Sequence, residues 1–149
     1  MAVDVLTEIV IDLPCDRVAA YAADPSHAPE WYVNIESVGW ETPPPLAVGS
    51  RLSFVAHFLG RRLAYTYEIV DLVPGERLVM RTAEGPFPME TTYTWEPGGE
   101  HRTRMTLRNR GEPSGFAKVG APLMAAAMRR ANQKDLARLK ALLEATRPS

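Results

Sequence analysis

Cysteine is nearly missing from this sequence, and so is any surplus of charge. Cys15 stands alone among 149 residues, so no intrachain disulfide can form and a reducing compartment is expected. No Cys and His pair has the spacing of zinc ligands, and His27 with Glu30 does not complete a site by itself. No metal and no cofactor are therefore expected. The 17 basic and 18 acidic residues leave a formal net charge of −1, which argues against nucleic acid as a partner because nothing offsets its phosphates. Also lacking is an apolar run of about 18 residues, the length a spanning helix needs. The opening MAVDVLTEIVIDLP carries acids where a secretory leader would carry basic residues. A cytoplasmic protein without stable membrane insertion is the expectation. GxSxG elbows, GxGxxG turns after a strand, GxxxxGK loops and HExxH helices are all missing.

What remains is ordinary in amount and specific in order. Hydrophobic residues make up 46% and charged residues 23%, and no linker or repeat divides the chain, so a single domain over residues 1–149 is expected. Val3, Val5, Thr7, Ile9, Ile11 and Leu13 recur with a period of two, which predicts a strand ending at Pro14. PCDRVAAYAAD then takes a helical period, with Val18, Tyr21 and Ala22 on one face. Asp24 before Pro25 has the form of an N-cap with proline at the first helical position, so a second short helix should run toward Trp31. From Val33 to Arg110, six β-rich runs alternate with the turn residues PPPLAVGS, LGRR, PGE, EGP and PGGE. These turns suit antiparallel neighbours.

After GEPSG the pattern becomes helical, with Pro122 expected to kink or restart the helix near Gly120. Leu136, Leu139, Leu142 and Leu143 form an apolar stripe opposite Arg138, Lys140 and Glu144. The basic cluster of Arg129, Arg130, Lys134, Arg138 and Lys140 reads as the solvated back of that helix.

This order resembles the helix-grip fold of the START-like (SRPBCC) superfamily. The segments ADPSHAPEW, YEIVDLVPGERLVMRT, TTYTWEP and DLARLKALLE are similar to its bacterial polyketide cyclase/dehydrase-like group in particular. The resemblance spans nearly the whole chain. It implies an α+β fold in which a seven-stranded curved antiparallel sheet wraps a long C-terminal helix, with two short helices between strands 1 and 2. It transfers no catalytic residue, because the group hosts carriers and cyclases on one scaffold.

Strand parity then selects the side chains that face the helix. Phe54 and Phe58 share a face with Leu52 and Ala56, Tyr65 and Tyr67 with Leu63 and Ile69, and Met80 and Thr82 with Leu78. Met89, Thr91 and Tyr93 join Trp95, and Met105 joins Thr103 and Leu107. On the helix, Met124, Met128 and Asn132 belong to the inward stripe. The stretch GAPLMAAAM is thin beside the leucines that follow it, which predicts a cavity beneath the first half of the helix. In the competing arrangement Phe54, Phe58, Tyr65 and Trp95 close that gap themselves. Trp31, Tyr32 and Trp40 are placed at the rim of the cavity, or as a satellite cluster plugging that end. Tyr65, Tyr67, Thr82, Thr91, Tyr93 and Asn132 bring the polar groups, and Asn132 has a bond within the protein as its alternative. Acids and imidazoles are nearly absent from this inward set. His57 falls outward unless a β-bulge turns it, and Glu84 and Glu90 fall outward or in loops.

The expected function is binding of a small hydrophobic molecule (a polyketide, lipid or aromatic metabolite) in the internal cavity. A cofactor-independent polyketide cyclase or dehydratase, suggested by the resemblance, is the alternative. Confinement of a flexible substrate would help it, whereas a phenol with a pKa near 10 is a poor base at neutral pH. A protein-interaction module is a further alternative, and both a monomer and a homodimer fit.

Overall fold

The alternation of apolar side chains over Val3–Ile11 builds strand β1, whose buried and exposed residues alternate along most of its length. In the computed structural model, which describes residues 2–112 and 120–145, helix α1 follows at Cys15–Ala22. A 3₁₀ turn at Pro25–His27 leads into the one-turn helix α2 at Ala28–Trp31. The single second helix expected here is thus split in two. Asp24 caps the first piece as its side chain accepts the Ser26 N–H at 2.9 Å, and Pro29 lacks the N–H that would carry the 3₁₀ pattern on.

Six further strands are β2 (Ile35–Trp40), β3 (Arg51–Phe58), β4 (Arg61–Val73), β5 (Arg77–Glu84), β6 (Met89–Gly99) and β7 (Arg102–Gly111). They form one sheet in the order β1-β7-β6-β5-β4-β3-β2, every neighbouring pair antiparallel. The sheet curls into a half-barrel around helix α3, Ala121–Ala145. Pro122 lies in the first turn of α3, where a missing N–H costs nothing, so it opens the helix without kinking it. The helical pattern read for residues 116–119 lies outside the described residues.

Two groups of side chains fill the concave side. The larger gathers Leu136, Leu139 and Leu143 of α3 with Ile11, Val18, Trp31, Trp95, Met105 and Leu107. The smaller joins Val3, Leu63, Phe87 and Met124. The C-terminal end of α3 is also tied to β1 by polar contacts, since Lys140 Nζ donates to Val10 O at 2.9 Å and Glu144 accepts the Asp12 N–H at 3.0 Å. The convex face is laced by cross-strand ion pairs such as Asp4–Arg108, Glu8–Arg104 and Arg81–Glu90. Such exposed pairs stabilise little, about 0–1 kcal/mol at most where measured.

Candidate functional site

Between the first half of α3 and the sheet lies a cavity of about 140 Å³. The pleat supplies one wall, because residues two apart point to the same side. Phe54 and Phe58 come from β3, Tyr65 and Tyr67 from β4, Met80 from β5, and Met89, Thr91 and Tyr93 from β6. The helix supplies the other wall through Met124, Met128, Ala131, Asn132 and Asp135, which recur every three or four residues. Tyr32, just after α2, closes one side.

Four residues expected at this site lie outside the cavity wall. Trp31 is fully buried in the larger core group, its ring tilted against that of Tyr32 with centres 4.2 Å apart. One helical turn makes adjacent residues diverge, so Trp31 turns into the core while Tyr32 reaches the cavity. Trp40 lies at the far end of β2, where its indole N–H donates to Ser26 Oγ at 3.1 Å and its ring borders a separate outer groove with Pro44 and Leu46. Thr82 is spent on the β5–β6 turn, its hydroxyl donating to Met89 O at 3.0 Å and accepting the Met89 N–H at 2.8 Å. Met105 is fully buried among the larger core group.

The alanines expected to leave the cavity open are not its wall. Ala125, Ala126 and Ala127 do not line it. They lie between Met124 and Met128 in sequence but point to other faces of the helix, so the cavity borders methionines and Ala131 rather than a run of alanines.

Parity reasoning missed Asp135, Asn34, Asn109 and Phe87, all of which border the cavity. Asp135 was within reach, because it follows Asn132 by three residues and precedes the core residue Leu136. Its charge had hidden it. Phe87 belongs to a segment that reads as a turn, and no periodicity marks a turn residue as buried. His57 borders the cavity yet is exposed, with Nε2 3.1 Å from the Glu36 carboxylate. The irregularity in this part of the sheet falls in β2, between Ile35 and Ser37, so β3 keeps its outward parity at His57.

Hydroxyls form two short networks along the wall. Thr91 Oγ1 donates to Asn109 Oδ1 at 2.7 Å, so the 2.8 Å contact between Tyr67 and Thr91 is made by the Tyr67 proton. Tyr32 and Tyr93 share a 2.6 Å bond between their hydroxyls. Burial raises the Tyr67 phenol to about 12 and lifts Tyr32, Tyr65 and Tyr93 well above the ordinary tyrosine range. These phenols are neutral at physiological pH and act as hydrogen-bonding groups rather than bases.

Asp135 is the acid of the site. Its Oδ1 accepts the Val33 N–H at 2.9 Å, and the residue is only 2% exposed. Burial pushes its carboxyl up to about 6, against the opposing pull of the Val33 N–H and the Arg138 charge. Arg138 in turn donates from Nε to Glu30 O at 2.7 Å, so two residues one turn apart on α3 hold α2 and the segment after it against the helix.

The profile of the family described as "polyketide cyclase / dehydrase and lipid transport" matches residues 2–144. The chain belongs to this family. Solved structures with the same fold include TTHA0849 from Thermus thermophilus, at 23% identity over 97% of this chain and 99% of that one, with a TM-score of 0.82. The Zhui aromatase/cyclase from a Streptomyces species is 17% identical over 97% of this chain and 94% of its own, at a TM-score of 0.79. A START superfamily protein from Mycobacterium smegmatis is 13% identical over 97% and 99% of the two chains, at a TM-score of 0.82. No curated protein matches the sequence. Membership in the polyketide cyclase/dehydrase and lipid transport family, together with the START-like neighbours, supports a hydrophobic ligand-binding fold. No helix among the described residues is long and apolar enough to cross a membrane.

Proposed function

We propose that the protein binds a small hydrophobic molecule in the cavity between α3 and the sheet. The observation that carries this reading is the wall itself: aromatic rings and methionines on nearly every side, interrupted by tyrosine hydroxyls, three asparagines and one buried acid. That is the composition of a ligand pocket, in which apolar surface drives binding and sparse polar groups orient the guest. Burying about 200 Å² of ligand surface at about 25 cal/mol per Å² favours binding by about 5 kcal/mol before association costs. Polyketide, lipid and aromatic guests of small size all satisfy this chemistry, and the protein is proposed to act as a soluble carrier in the form of a single domain.

The test has two parts. Native mass spectrometry of the freshly purified protein is expected to show a mass increment from a copurified small molecule. Ala131→Phe, which places a ring in the cavity, is expected to abolish binding of an apolar fluorescent probe while leaving the circular dichroism spectrum unchanged. Unaltered probe binding in a folded Ala131→Phe protein would sink the proposal.

A second reading, a cyclase or dehydratase acting in the same cavity, is favoured by Asp135 alone. A carboxyl near 6 can take a proton from the carbon between two ketones and later return it to a departing hydroxyl, while a neutral tyrosine donates to the ketone oxygen. This reading expects turnover to depend on a group titrating near pH 6 and to vanish in Asp135→Asn with binding retained.

A further inference from the structure

Asn132 is an unusual residue for its position. It is 5% exposed, it belongs to the inward stripe of α3 between Met128 and Leu136, and it borders the cavity. Its Nδ2 has no hydrogen-bond partner among the described residues. A buried amide N–H without a partner carries the full desolvation penalty of that group, whereas leucine, used at the next inward position, would carry none. The described residues offer this N–H no acceptor.

The other donors of the cavity narrow what the guest must offer. The Thr91 proton is committed to Asn109 and the Tyr67 proton to Thr91. One proton of the Tyr32–Tyr93 pair bridges the two oxygens, which leaves the second outside that bond. Asn132 and the tyrosine hydroxyl outside that bond therefore both seek an acceptor, with the Tyr65 hydroxyl on the same wall, and a carbonyl oxygen has two lone pairs with which to receive two such donors. Size narrows the guest further, since an apolar cavity of about 150 Å³ holds one benzene ring and this one measures about 140 Å³.

We infer that the cavity selects a single-ring molecule bearing a carbonyl group, and that Asn132 is the residue that reads its oxygen. This rests on the proposal that the cavity binds a ligand. The test compares acetophenone with α-methylstyrene, which has the same planar shape but a methylene in place of the oxygen. Affinities of both are measured by ligand-observed NMR on the wild-type protein and on Asn132→Leu. The wild-type preference for acetophenone over α-methylstyrene is expected to fall about tenfold or more in Asn132→Leu, the size of effect a lost hydrogen bond produces. The unliganded variant should at the same time melt at a higher temperature. Should Asn132→Leu fail to fold, Asn132→Ala provides the same ratio. A ratio unchanged by the substitution would overturn the role of Asn132 and leave the cavity proposal standing. Failure of the wild-type protein to bind either compound would overturn the cavity proposal itself.

Discussion

The two halves of α3 press against the same sheet and do opposite things. In the C-terminal half, Leu136, Leu139 and Leu143 are 1%, 0% and 6% exposed and knit β1, α1 and β7 into one apolar core. In the N-terminal half, Met124, Met128 and Ala131 face a cavity and Asn132 brings an amide to its edge, while Asp135, just past the midpoint, adds an acid. A helix needs only one well-packed end to hold its place, which leaves the other free to carry groups that packing alone would reject. The contrast teaches where close packing gives way to open space along a single element.

The sharpest way to break this comparison is to cut the same kind of side chain from each half. Leu139→Ala should destabilise by about 2–5 kcal/mol, as for other fully buried leucines. Met128→Ala, on the cavity wall, should cost about 1 kcal/mol or less, because little close packing is lost beside existing space. Urea denaturation measures both, and equal losses would erase the distinction between the halves.

A second comparison uses pH. The Asp135 carboxyl stands at about 6 in the folded protein against an ordinary value of 3.8. Between those two values the folded state binds more protons than the unfolded state, so stability falls as pH rises through that window and stays lowered above it. The full difference corresponds to up to about 3 kcal/mol. Asp135→Asn keeps an oxygen for the Val33 N–H and removes the charge, so it should be more stable than wild type at pH 7.5 by about 1–3 kcal/mol. Near pH 4.5 most of this gain should be gone. Denaturation curves at the two pH values decide the matter, and identical pH dependence in the two proteins would show that burial of Asp135 has no such effect.

The smallest effect belongs to Arg138, whose side chain is exposed but whose Nε reaches Glu30 O. Arg138→Ala should cost about 0.5–1.5 kcal/mol and raise hydrogen exchange in α2 and the segment after it, with exchange across Leu136–Leu143 unchanged. Equal acceleration along the whole helix would mean that the clamp serves the core rather than the cavity's edge.

Much of this architecture is written in alternation. The period-two runs located all seven strands, and their parity placed Phe54, Tyr65, Met80, Met89 and Tyr93 on the concave side, where the structure has them. Parity failed where a residue's neighbours in space, rather than in sequence, determine its task. Thr82 has the inward position but is consumed by the Met89 backbone, and Trp31 and Tyr32 part company within one helical turn. Asp135 shares the inward stripe with Asn132 and Leu136, yet a carboxylate is normally read as solvated, and only the Val33 N–H across the cavity's edge explains its burial.

Periodicity is a local property of the backbone, so the sequence by itself determined the order of elements, the face each residue takes and the contrast in bulk along α3. Tertiary structure alone decided how much space remains between helix and sheet, which hydroxyls are already paired and which buried amide is left over. Those depend on the separation and curvature of surfaces built from distant segments, and no pattern within one segment encodes a distance between two.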